Sequence, residues 1–116
     1  MKIINEKDVK PIEDLCGPLK ELYMSDNISL ATVVIKAEKE AHLHKHPKFE
    51  EVYYVMSGKG HMKIRDVIYP IKKGDTFAIE PKDAPHKAMN PYKEDMKIIV
   101  VCNPKFDINL LEDLEN

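Results

Sequence analysis

Apolar residues come along this chain in short runs separated by turn residues. The pattern clears at Ile28. Ile28 to Ile35 is rich in β-branched residues and predicts a strand. Val52 to Met56 is apolar at every position, which predicts a strand buried on both faces. After the tight turn Ser57-Gly58-Lys59-Gly60, the run His61 to Arg65 alternates strictly. That alternation sends Met62 and Ile64 inward and His61, Lys63 and Arg65 toward solvent. Val67 to Ile71 predicts another short strand, closed by Lys72-Lys73-Gly74-Asp75. Thr76 to Ile79 precedes a loop from Pro81 to Pro85, and Met96 to Cys102 is a long apolar strand. About seven short strands between turn residues indicate an all-β sandwich or barrel.

The ends are less regular. Lys2-Ile3-Ile4 predicts a short strand, while Pro11 and Cys16-Gly17-Pro18 break any long helix. Leu19 to Met24 fits an edge strand or one helical turn equally. Asp107 to Leu114 predicts a short helix with Asp107 as N-cap, its apolar residues packed on the outside of the barrel. Val52, Tyr54 and Met56 have the parity opposite to Glu51 and Tyr53. An apolar outer face needs cover, so we expect a homodimer, with the N-terminal strand as a swapped or augmenting edge.

Composition narrows the class. The 116 residues are 43% hydrophobic and 33% charged, which describes a globular protein of one domain, 1–116. Within it we place the barrel at about 28–103, an N-terminal arm at 1–27 and a tail at 104–116. A net charge of −2 with interspersed signs gives no reason to expect nucleic acid or an anionic membrane as partner. Arg65 is the sole arginine, which disfavours a site that clamps phosphate with guanidinium groups. Cys16 and Cys102 match no zinc or redox spacing and are expected to be reduced. The opening residues turn charged before any apolar run develops, and no run approaches a membrane span, so the expected location is cytoplasmic.

The chemistry-bearing stretch is His44-Lys45-His46 followed by Glu51. Strand parity points His44 and His46 the same way, so the two imidazoles can hold one metal ion, with a carboxylate from the next segment as third ligand. His86 is the candidate for the fourth.

This arrangement resembles the cupin family. His44, His46, Glu51 and Gly58 fall on its first motif, with four residues between His46 and Glu51 and six between Glu51 and Gly58. Gly74, Pro81, His86 and Asn90 fall on its second, with six residues between Gly74 and Pro81. Glu38 and Asp83 stand where the motifs carry turn glycines. The resemblance implies a small jelly-roll barrel holding a divalent metal, one of Mn, Fe, Zn, Ni or Co, on His44, His46, Glu51 and His86. Glu50 is the rival to Glu51, but Glu51 alone has the six-residue gap to Gly58.

Tyr53 lies two residues past Glu51, facing inward, as core or as a substrate-orienting residue. His42 shares parity with His44 and His46 and is a candidate proton shuttle, although its place ahead of the motif suits the rim or solvent better. We read His61 as surface, Met62, Phe77 and Phe106 as pocket wall or core, Asn90 as loop-shaping and Cys102 as a small buried hydrophobe. The family includes isomerases, dioxygenases and oxalate decarboxylases. The stretch Lys48 to Val52 lacks the Arg and Trp typical of the phosphomannose-isomerase branch, and oxalate decarboxylases typically have two domains. The expectation is a small metalloenzyme acting on a compact oxygenated metabolite, of dioxygenase or sugar or keto-acid isomerase type. The alternatives are a non-catalytic metal-containing module that binds or senses a small molecule, and a metal-free structural barrel.

Overall fold

Alternate burial of β-branched and aromatic residues builds two facing antiparallel sheets. The computed structural model describes residues 1–46 and 48–115. Its strands in chain order are β1 (Ile12–Asp14), β2 (Gly17–Met24), β3 (Ser29–Ile35), β4 (Lys39–Glu40), β5 (His44–Lys45) and β6 (Glu50–Ser57). They continue as β7 (Lys59–Ile64), β8 (Val67–Lys72), β9 (Thr76–Ile79), β10 (His86–Asn90), β11 (Met96–Asn103) and β12 (Glu112–Asp113). One sheet runs β1-β2-β3-β11-β6-β9, and the other runs β12-β5-β10-β7-β8 with β4 also paired to β10. The result is the jelly-roll barrel, also called a double-stranded β-helix: the strand pattern predicts a sandwich or barrel, and the cupin resemblance implies this form of it.

The core lies between the sheets. Strand β11 buries Met96, Ile98, Val100 and Cys102 on its inner face, and its partner β6 buries Glu51, Tyr53 and Val55. Leu19, Ala31, Val33 and Ile35 from β2 and β3 complete that wall. Each fully buried aliphatic side chain contributes about 1.5–3 kcal/mol relative to exposure. The turn after β6 requires Gly58, whose φ is +78°, and a Cβ there would meet the Asp95 carbonyl oxygen at 2.5 Å. Glu38, at the motif's other glycine position, also has left-handed backbone, φ +61°.

Four expectations need correction or decision. Val52 to Met56 is not buried on both faces: Val52 and Tyr54 are 45% and 47% exposed, and nothing among the described residues covers that part of the sheet. Lys2-Ile3-Ile4 forms no strand. The arm is instead tied down one turn later, where Glu6 accepts hydrogen bonds from Thr32 (2.6 Å) and Lys97 (2.7 Å) on the outer face of the same sheet. Leu19 to Met24 resolves as strand, since pairing with β3 satisfies its backbone. The predicted helix over Asp107 to Leu114 shrinks to a 3-10 turn, Ile108–Leu110, capped by the Asp107 side chain. So short a segment gains little by helix nucleation alone. Leu110 and Leu111 turn onto the core instead, and β12 pairs with β5.

Candidate metal centre

The second sheet brings two of the histidines face to face. His44 opens β5 and is the direct cross-strand partner of His86 on β10, with ring centroids 4.5 Å apart. His46 follows just past β5, stacked on Phe49 at 4.2 Å and held edge-on to His86 at 4.8 Å. All three are buried, and one nitrogen from each lies within 4.8 Å of the others.

The outer nitrogens are fixed by backbone. His44 Nδ1 donates to the His42 carbonyl at 2.7 Å, and His46 Nδ1 donates to the Phe49 carbonyl at 3.0 Å. A ring nitrogen facing a carbonyl must carry a proton, which turns Nε2 of each ring toward the cluster. Such second-layer hydrogen bonds are how metal-ligating imidazoles are oriented. His86, 1% exposed, has no hydrogen-bond partner on either ring nitrogen among the described residues. Buried imidazole nitrogens of that kind are costly unless something else is bound.

Glu51 comes in from β6 on the opposite sheet. Its Oε1 lies 2.6 Å from His46 Nε2 and 3.6 Å from His86 Nε2, the second an electrostatic contact beyond hydrogen-bond reach. Burial pushes its carboxyl up, but the hydrogen bond and positive charge offered by His46, with His86 behind it, hold it below the usual carboxylate range. The group of three converging nitrogens does not include Glu51, which stands beside them as a carboxylate engaged with His46. Burial and the neighbouring His86 push His44 down to about 4. Three imidazoles beside a carboxylate form a hard-to-borderline donor set suited to Mn, Fe, Co, Ni or Zn. The residues fit a divalent cation.

Beside His44 and Glu51 lies a cavity of about 20 Å³, room for roughly one water. Tyr53 donates to Glu51 Oε1 at 3.2 Å, and its ring stacks on Phe77 at 5.0 Å. Burial and the Glu51 charge keep the phenol protonated. The two free thiols flank the site: Cys16 Sγ lies 3.9 Å from His44 Nε2, and Cys102 Sγ lies 3.8 Å from Glu51 Oε2. Asp14 also lines the cavity, its Oδ1 buried without a hydrogen-bond partner among the described residues and its carboxyl raised, first by burial.

Other singled-out residues fall elsewhere. His42 stands outside the cavity, 52% exposed and paired with Asp113 at 2.8 Å, because the chain turns before β5 and parity does not carry back. Glu50 is exposed and Glu51 is not. Asn90 braces the following loop through Ile35, Glu94 and Tyr92 backbone groups. Cys102 is buried as expected but touches the site carboxylate. Asp14 and Cys16 escaped sequence reasoning. They sit at the β1–β2 turn, far from the motifs in sequence, and no spacing betrays them.

A family model described as Cupin domain matches residues 31–102, more than half of the chain. An uncharacterized protein of Methanocaldococcus jannaschii is 35% identical over 109 residues, covering 94% of this chain and 85% of that one. Among solved structures, the polyketide cyclase RemF from Streptomyces resistomycificus superposes with a TM-score of 0.82 at 17% identity, covering 100% of this chain and 87% of that one. Ectoine synthase from P. lautus gives 0.81 at 20% identity, covering 98% and 90%. At such identities these two likenesses show the fold alone.

Proposed function

We propose, starting from the fact that this chain belongs to the cupin domain family, that it is a small metalloenzyme acting on a compact oxygenated metabolite, of dioxygenase or sugar or keto-acid isomerase type. One observation carries the reading: three buried imidazoles converge on one point, two of them oriented by backbone carbonyls and the third with no other partner. His44, His46 and His86 would hold a divalent ion, with Glu51 as the fourth donor. When bound, the ion would supply Lewis acidity and open positions for an oxygen-bearing ligand.

The chain's own residues supply the rest. Tyr53 stays protonated, so it donates a hydrogen bond and orients Glu51 rather than acting as a base. His42, exposed on Asp113, is poorly placed as a shuttle. Asp14, with a buried unpartnered oxygen in the cavity wall, is the better group to hold or release a proton there. The mostly apolar lining from Leu19, Val33, Ile98, Val100 and Phe106 excludes bulk water.

The reading includes a cytoplasmic homodimer. Support for the dimer is the exposed apolar row Val52, Tyr54 and Met56, and no helix among the described residues is long and apolar enough to cross a membrane.

Metal content per chain, measured by elemental mass spectrometry on untagged protein purified without chelators, tests this first. About one equivalent of a divalent metal, lost in His44→Ala, is the expected result. No metal after reconstitution would leave a structural barrel. Oxygen-consumption and isomerisation assays on the loaded protein then separate an enzyme from a binding module.

A further inference from the structure

We propose that the groove between β8 and β9 binds a small organic ligand beside this centre, and that this ligand is a monocarboxylate with an apolar body. The inference rests on the metal-centre reading above. The inner cavity of about 20 Å³ cannot take a metabolite, whereas the groove measures about 440 Å³, within the range of small-molecule sites.

Strand register places this groove against the centre. Met62 and Tyr69 are cross-strand partners and so share the inner face of their sheet, yet Met62 is 2% exposed and Tyr69 is 50% exposed. An inward aromatic position is therefore left uncovered where the two sheets part. The groove also takes in Ile64 and Ile79, the direct partners of His86 and Glu51. Cross-strand partners stand about 5 Å apart, so the groove and the site residues are separated by one side chain. Phe77 belongs to the groove and stacks on Tyr53, which hydrogen-bonds Glu51.

The polar end of the ligand follows from Arg65. Its backbone N–H donates to the Pro85 carbonyl at 2.8 Å, beside His86, and one guanidinium N–H donates to the Lys82 carbonyl at 2.6 Å. Its φ of +52° is the left-handed backbone of the two-residue hairpin turn between β7 and β8, which fixes where the side chain leaves the chain. The remaining guanidinium N–H groups have no hydrogen-bond partner among the described residues. Asp83 accepts from the Glu80 N–H at 2.9 Å, and Asp75 accepts from the Lys72 N–H at 2.8 Å at the far end of β8. Both carboxylates are engaged by backbone N–H groups, so the free guanidinium N–H groups can pair one carboxylate bidentately, while the net negative lining disfavours a dianionic phosphate ester.

Benzoate is the probe, with benzyl alcohol as its uncharged analogue and phenyl phosphate as the dianion. Each is titrated into the zinc-loaded full chain and followed by amide NMR, with zinc content read on the same samples. Benzoate should shift the amides of Arg65, Tyr69 and Phe77 and bind about tenfold tighter than either analogue, a preference Arg65→Gln abolishes. Tyr69→Ala, at a half-exposed position, should weaken benzoate about tenfold with zinc content unchanged. Saturable shifts confined to the Asp14–Leu19 side, or no saturable shifts, overturn the proposal, as does undiminished binding in both variants. Wild-type protein that holds no zinc but still binds benzoate in the groove overturns the metal centre and supports the groove.

Discussion

His46 Nε2 and Glu51 Oε1 stand 2.6 Å apart, while the other ring nitrogen of His46 faces the Phe49 carbonyl at 3.0 Å. The carbonyl and the ionised carboxylate both accept and neither donates. The ring therefore needs a proton on each nitrogen, or a cation in place of one. A proton and a divalent ion compete for the same position.

Glu51→Gln should break that arrangement while conserving shape. We expect at least a tenfold loss of metal affinity, read by competition with a chromophoric chelator, and a smaller rise in melting temperature on metal addition. Unchanged affinity would remove Glu51 from the site.

Acid should destabilise the metal-free protein in two steps. Folded His44 stays neutral down to about 4, whereas the unfolded chain takes up that proton near 6.5. Between those values the unfolded state binds more protons, so stability falls with pH, by on the order of 3 kcal/mol across the window. Against the push of burial, His46 and His86 hold the Glu51 carboxyl below the ordinary glutamate value of 4.5, so its contribution is present above 4.5 and declines below it. Urea titrations at pH 7, 5.5 and 4.5 read the first step, and His44→Gln should flatten it.

Gly58→Ala should cost about 2 kcal/mol or more, because left-handed backbone is strained for alanine and the new Cβ meets the Asp95 carbonyl oxygen at 2.5 Å. Glu38→Gly reverses the case at the other glycine position: relief of its φ of +61° should offset the entropy of glycine, leaving stability unchanged or raised by up to about 1 kcal/mol. Chemical denaturation of the pair checks both signs.

Tyr54→Lys should convert a dimer to a monomer in sedimentation velocity, with metal content intact. The position is 47% exposed and on the opposite face of β6 from Glu51. A wild-type monomer would end the dimer proposal.

Much of the barrel was legible because β-branched runs such as Ser29 to Ile35 and Met96 to Asn103 settle as strands in any neighbourhood. His44, His46 and His86 could be read out because parity and spacing are local properties. What covers a face is not local. Val52 to Met56 shows its parity in sequence, but whether a second surface lies over it depends on other molecules. Leu110 and Leu111 suit a helix by pattern, and the core they reach decides otherwise. Asp14 and Cys16 arrive at the centre through the turn between β1 and β2, a contact that chain folding creates and no motif announces.

The strand that carries His44 has its two neighbours far along the chain: His86 on one side and Asp113 on the other. A ribosome must therefore release the chain through β12 before β5 is flanked on both edges. Barrel closure and capture of any cation follow the synthesis of β12, and a nascent chain stalled before it would present its histidines on an unfinished edge.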